Sequence, residues 1–233
     1  MIEEILLDII AGDAPVFLLI AGPNGAGKST FREKRLNPIS FPCIDPDQVG
    51  RELFSQHPQT KEEALRATQE ATDRIYRFLD QSRSVALETV FSDSQGHKLA
   101  LIDEAHRKGF KTVLIFIGVD APEISIARVM DRVDHGGHDV PDHIIESRFP
   151  KCFENLRKAL PIVDLAIFVD NTGSYGLMDS RHYIFGFARK GDPPELSTPL
   201  PHWFINYRIS APKTDACHPI GCNREPARGR NWK

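Results

Sequence analysis

Short apolar runs alternate with polar stretches of helical spacing from residue 16 to about residue 171. The runs are VFLLI at 16–20, FPCID at 41–45, SVALETV at 84–90, KTVLIFIGV at 111–119 and DLAIFVDN at 164–171. Their near-continuous apolar character is that of strands covered on both faces. KSTFREKRL after the first run reads as a helix ended by Asn37-Pro38. TKEEALRATQEATDRIYRFLD at 60–80 opens with a capping box, Thr60 followed by Glu63. HKLALIDEAHRKG at 97–109 ends in a Lys-Gly stop. Two further helical segments, 121–133 and 141–160, flank the loop DHGGHD. This alternation predicts an α/β fold of three layers, with helices on both faces of a mostly parallel sheet of five or six strands, and a small helical lid. YIFGFARKG at 183–191 is expected to add an edge strand, and the stretch 192–201 and the tail from 211 to be irregular. The expected organisation is one domain over 1–190, its lid at about 128–148, and an irregular or partly disordered extension over 191–233. MIEEILLDII at 1–10 reads as a short amphipathic helix leading into the first strand.

Immediately after the first predicted strand stands AGPNGAGKST, which fits G-x-x-x-x-G-K-[ST] with Gly22, Gly27, Lys28 and Ser29 in the fixed places. Glycines let successive backbone N–H groups turn inward around a phosphate, and the helix beginning near Lys28 adds its positive end. The whole loop, Gly22, Pro23, Asn24, Gly25, Ala26, Gly27, Lys28, Ser29 and Thr30, is the candidate ATP site. Lys28 is expected to reach the β- and γ-phosphate oxygens, and the Ser29 hydroxyl to ligate Mg²⁺. The loop is therefore expected to bind a nucleoside triphosphate, in a transport ATPase, a GTPase switch, a nucleic-acid motor or a small-molecule kinase.

Composition changes this picture little. A chain of 233 residues with 41% hydrophobic content can bury one α/β core, and a net charge of −3 argues against a nucleic-acid-binding surface over the whole protein. No apolar run approaches a membrane span, the N-terminus lacks the basic start of a signal peptide, and Cys43, Cys152, Cys217 and Cys222 are widely scattered. A reducing cytoplasmic setting is expected. Cys217 and Cys222 lack a second ligand pair, and His135 and His138 sit on a glycine-rich loop, so neither pair makes a zinc site.

In an open parallel sheet the ligand crevice lies beyond the carboxyl ends of the strands. The second strand ends in Asp45-Pro46-Asp47, the third in Glu88-Thr89, the fourth in Asp120. Asp120-Ala-Pro is read as an ordinary helix start. Glu88 closes an apolar strand, where an acid is costly unless Mg²⁺ waters or a substrate use it. A kinase needs one carboxylate to take the acceptor proton, and Asp47, further past its strand than Asp45, is the candidate base. Asp45, Glu88, Thr89 and His138 are candidate acceptor contacts. Arg128 and Arg132 stand at i, i+4 and Arg148 on the next helix, as candidates to stabilise the transferred phosphoryl group from a lid. Surface acids such as Glu123 or Asp131 are their alternative partners.

An LSGGQ-like signature, an apolar strand ending in Asp-Glu well downstream, and an N-K-x-D segment are all missing, which leaves the small-molecule kinases among P-loop classes. The combination of AGPNGAGKST, IDPDQV, LETVFSD, RVMDRVDHGGHDVP, IIESRF and VDN resembles the zeta-toxin-type P-loop kinases over residues 16–171. The resemblance implies ATP/Mg²⁺-dependent phosphorylation of a sugar hydroxyl on UDP-N-acetylglucosamine, poisoning of cell-wall synthesis, and control by an antitoxin partner. It matches Lys28 to the P-loop lysine, Asp47 to the catalytic base, Glu88 to a substrate-site acid and Arg128 to a lid arginine. The chain departs from the family at Val90, where the toxins carry Thr, and near His138, where a second lid arginine is replaced, with Arg132 or Arg148 as substitutes. A regulatory ATP-binding module and a nucleoside or polynucleotide kinase are the alternative readings.

Overall fold

The structure is a computed structural model describing Glu4, Ile9 and residues 11–36, 41–58, 60–137, 139–173 and 182–209. Strands β1 (Val16–Gly22), β2 (Cys43–Ile44), β3 (Val85–Val90), β4 (Lys111–Gly118), β5 (Leu165–Asp170), β6 (Tyr183–Arg189) and β7 (Glu195–Leu196) form one sheet in the order β2-β3-β1-β4-β5-β6-β7. The first five are parallel, while β6 runs antiparallel to β5 and β7 antiparallel to β6. Every residue of β1 and β5 is buried, as the apolar runs require when helices cover both faces of a parallel sheet. The helices are α1 (Lys28–Arg35), α2 (Pro46–Phe54), α3 (Lys61–Asp80), α4 (His97–Arg107), α5 (Pro122–Asp134), α6 (Asp142–Ala159) and α7 (His202–Asn206).

The local rules act as expected at several ends. Thr60 Oγ accepts from the Glu63 amide while the Glu63 carboxylate accepts from the Thr60 amide, closing the capping box of α3. Helix α4 ends at Lys108 and Gly109, whose φ of +81° is left-handed. The proposed lid spans the last turns of α5, the following loop and the start of α6, pinned by its own apolar cluster of Val129, Val140 and Ile145.

Three expectations need correction. The sheet has seven strands rather than five or six, and β6 is not its edge. The stretch expected to be irregular after residue 190 carries β7 and α7 as far as residue 209, and later residues lie outside the described ones. Apolar burial accounts for this: Trp203 and Phe204 are inaccessible and pack among Phe116, Phe153, Phe168 and Phe185. Asp120 does not cap α5, whose N-cap is Ala121. Its Oδ1 accepts instead from the Trp203 amide at 2.9 Å, fastening α7 to the end of β4. A long-range aromatic anchor gives that carboxylate a partner that no local rule reveals.

At the opposite end of the sheet Asp164 Oδ2 accepts from the Thr112 amide at 2.8 Å and lies 3.1 Å from His106 Nε2. Burial opposes its charge, but these partners outweigh burial and hold its pKa below the usual carboxylate value. The stabilisation is therefore present above the unfolded-state pKa, about 3.9, and lost as pH falls through the folded value. Asp164→Asn should lower stability at pH 7 and flatten the further loss below about pH 4 in urea unfolding series. An unchanged pH profile would count against this role.

Candidate functional site

Strand β1 delivers the loop from Gly22 to Gly27 at the carboxyl edge of the sheet, where α1 begins. Gly27 is left-handed at φ +88° and serves as the N-cap of α1. Lys28 is buried, and its ammonium donates to the carbonyls of Pro23 at 2.8 Å and Gly22 at 3.3 Å. Burial lowers its pKa, and the negative Glu88 opposes that shift. Glu88, at the end of the neighbouring strand β3, is buried too, and burial raises its pKa. Its Oε1 accepts from the Ser29 hydroxyl at 2.5 Å. Arg32 Nη1 lies 2.9 Å from Oε2 as an ion pair outside hydrogen-bond geometry, so that buried oxygen has no hydrogen-bond donor.

Of the two acids after β2, Asp45 is the N-cap of α2, with Pro46 in the first turn; its Oδ1 accepts from the Asp47 amide at 2.9 Å. Its pKa is raised by burial and then by the adjacent Asp47. Asp47 is exposed, and its carboxylate takes no hydrogen bond from the described residues. The local cap thus fixes one acid to the backbone and leaves the other to the cavity.

That cavity has a volume of about 1200 Å³. Asn24, Gly25, Gly27, Lys28, Ser29 and Thr30 line it, as do Asp45, Asp47, Glu88 and Thr89. Arg128, Arg132 and Arg148 reach the same space from α5 and α6. Gly22, Pro23 and Ala26 support the loop from beneath: the first two offer carbonyls to Lys28, and Ala26 is fully buried. His138 lies outside the described residues. Arg128 donates to the Asn171 carbonyl at 2.6 Å and the Gly25 carbonyl at 3.5 Å. The cavity is also walled by Leu65, Thr68, Thr72 and Tyr76 of α3 and by Ser92, Asp93 and Lys98 around the start of α4. Burial lowers the pKa of Lys98, with Asp93 opposing and Arg148 adding to the shift.

Sequence reasoning missed Arg32, Lys98, Asn171 and His182 as site residues. Asn171 directly follows β5, so the strand-end rule that selected Glu88 would have found it. His182 reaches Gly27 across 155 positions of sequence, a contact with no local signal.

The residues fit a bound Mg²⁺. A P-loop metal needs a hydroxyl and phosphate oxygens, with carboxylates beside them rather than a full protein cage. The Ser29 hydroxyl touches Glu88, whose second oxygen is buried without a donor. Among the described residues no group of three or more His, Cys, Asp or Glu side chains is arranged to hold a metal.

With this geometry established, comparison with known proteins places the chain. The fold is that of P-loop kinases. It superposes on the PezAT toxin–antitoxin system of Streptococcus pneumoniae with a TM-score of 0.54 and 17% identity, covering 72% of this chain and 73% of that one. An ATP-containing AvrRxo1-ORF1:-ORF2 complex gives 0.59 at 16% identity over 92% of this chain and 73% of that one. A kinase-like protein of Chloroflexus aurantiacus, described as a putative kinase, gives 0.55 at 16% identity over 71% and 93%. The zeta toxin family model matches residues 4–182, and the chain belongs to that family. An uncharacterized protein of Haemophilus influenzae is 26% identical over 132 residues, 57% of this chain and 91% of its own. No helix among the described residues is long and apolar enough to cross a membrane.

The raised pKa of Glu88 means that its charged form weighs on the folded protein without ligand. Its contribution to stability is present below the unfolded pKa and lost as pH rises through the folded value. Glu88→Gln should therefore raise the melting temperature of the ligand-free protein at pH 7, read by calorimetry. A lower melting temperature would show that Ser29 and Arg32 make the charged form net stabilising.

Proposed function

We propose that the protein is an ATP- and Mg²⁺-dependent kinase that transfers the γ-phosphate to a hydroxyl of a sugar nucleotide or related acceptor. UDP-N-acetylglucosamine is the first candidate, by family. The observation that carries the reading is the meeting of the phosphate loop and the unengaged Asp47 carboxylate in one cavity of about 1200 Å³. That volume exceeds the roughly 300–1000 Å³ of a pocket for one small molecule. It suits two substrates side by side.

The residues divide the work by position. The loop amides and Lys28 hold the β- and γ-phosphates, and Arg128, Arg132 or Arg148 stabilise charge on the moving phosphoryl group. Ser29, with Glu88 behind it, would hold Mg²⁺, which when bound neutralises phosphate charge. Asp47 accepts the acceptor hydroxyl proton as the new O–P bond forms and the bond to the β-phosphate oxygen breaks, leaving ADP. Glu88 and Thr89 are placed to contact the acceptor, and Asp45 holds the α2 turn that aims Asp47. The likeness to the PezAT toxin–antitoxin system supports an antitoxin protein as a partner. A reducing cytoplasm is the compartment where this substrate set is met.

The test is transfer from γ-labelled ATP with Mg²⁺ into UDP-sugars, nucleosides and short oligonucleotides, run beside Asp47→Asn. The variant should lose transfer by about 10²–10⁴-fold while binding ATP as the parent does. Full activity in Asp47→Asn would remove the assignment of the base. ATP bound by the parent with no labelled product would point to a regulatory ATP-binding module. Label confined to oligonucleotides would move the acceptor to nucleic acid.

A further inference from the structure

Three consecutive carbonyls of the phosphate loop are each engaged by a side chain from elsewhere in the chain. Gly25 takes Arg128 at 3.5 Å, Ala26 takes Asn171 Nδ2 at 2.9 Å, and Gly27 lies 3.0 Å from His182 Nε2. A peptide unit is planar, so fixing a carbonyl also fixes the N–H of the next residue, which points the opposite way. The Ala26 amide is itself taken up by the Pro23 carbonyl at 3.3 Å, so fixing the carbonyls of Ala26 and Gly27 aims the amides of Gly27 and Lys28. These are the groups a phosphate loop turns toward its ligand.

The contacts are tight. A Cβ on Gly27 would stand 2.5 Å from Asn171 Nδ2 and 2.9 Å from His182 Nε2. Asn171 and His182 also hold each other, since the His182 amide donates to Asn171 Oδ1 at 3.3 Å. The His182 ring meets Phe31 of α1 edge-on at 5.3 Å.

Asn171 is held in turn by its neighbour. Asp170 Oδ1 accepts from the Trp203 indole N–H at 2.8 Å and from the Thr172 hydroxyl at 2.7 Å. The Asn171 amide donates to the Gly118 carbonyl at 2.9 Å, and a Cβ on Gly118 would run into the Trp203 ring. Trp203 is wholly buried and lies beyond the segment matched by the family model. It bears on the backbone from Gly118 and from Asp170 at once.

We propose that Asn171 and His182 are positioning residues for the phosphate loop and that Trp203, acting through Asp170, sets where they stand. The part of the chain after the family segment then contributes to nucleotide affinity through the residues it positions. This rests on the reading that the loop binds ATP.

The test is equilibrium binding of Mg·ATP and Mg·ADP to the full chain and to three variants, with melting temperatures recorded alongside. Asn171→Asp keeps the size and removes the donor to Ala26. His182→Phe keeps a ring on Phe31 and removes the contact with Gly27. Trp203→Phe keeps aromatic packing and removes the indole N–H. The first two should weaken both nucleotides by about tenfold, the worth of one well-placed hydrogen bond. Trp203→Phe should weaken both by about three- to tenfold, with the KM of the acceptor unchanged. Parent-like nucleotide affinity in all three, whatever their melting temperatures, would overturn the assignment and leave these residues a purely structural role. Because binding is read directly, a parent that binds ATP without transferring phosphate counts against the kinase and not against this assignment. Should Trp203→Phe not fold, the other two variants still decide the loop contacts.

Discussion

Two opposite charges buried at the carboxyl end of a parallel sheet, each within the other's electrostatic reach, set the terms for the rest of this molecule. Lys28 and Glu88 are each shifted by burial toward neutrality, and each is the other's main electrostatic counterweight among nearby charged groups. Buried charges persist only when they are paired and hydrogen-bonded. Here the pairing comes from the loop's own carbonyls on Lys28 and from Ser29 and Arg32 on Glu88. The arrangement leaves one buried carboxylate oxygen without a donor, a demand that a metal with its waters would answer.

The sheet order is what brings this pair together. Strand β1 lies between β3 and β4, so the phosphate loop is flanked by the end of the strand that carries Glu88 and the end of the strand that leads to α5 and its arginines. Strand β2 sits outside β3 and contributes only two residues, enough to aim the Asp45 cap and present Asp47. Strand β5 sits outside β4 and ends in Asp170, with Asn171 directly after it, one bonded to the aromatic anchor of α7 and the other to the loop. A site drawn from so many elements can be rigid because β1 and β5 are buried throughout and β3 and β4 at all but one residue each.

Much of this was legible in the sequence, for physical reasons. Apolar runs long enough for buried strands, a capping box at Thr60, a left-handed stop at Gly109 and a fixed-spacing phosphate loop are all local signals. They survive because tertiary packing agrees with them. Asp45 and Asp47 could be separated only in part, since strand direction placed both at the cavity but the cap had to be seen before one was spoken for. What escaped were features decided by distant partners. Strand β7 is two residues long in a proline-rich stretch, and α7 is a single turn held by burial of Trp203 and Phe204 rather than by helical propensity. Asp120 looked like a helix start because Pro122 follows closely, yet its partner is the Trp203 amide, 83 positions away. His182 follows no motif and acts only where the fold brings it beneath Gly27.

On the proposed function, the buried cluster of Lys28, Ser29 and Glu88 is completed by a nucleotide together with its metal. Thermal unfolding of the full chain, ligand-free, with Mg·ATP and with ATP plus EDTA, tests this most directly. At about a hundredfold excess over the dissociation constant, linkage gives about 2.7 kcal/mol, or about 5–10 °C in Tm for a chain of this size. That rise is expected with Mg·ATP, and a distinctly smaller one when the metal is chelated. A melting temperature indifferent to Mg·ATP would contradict that reading.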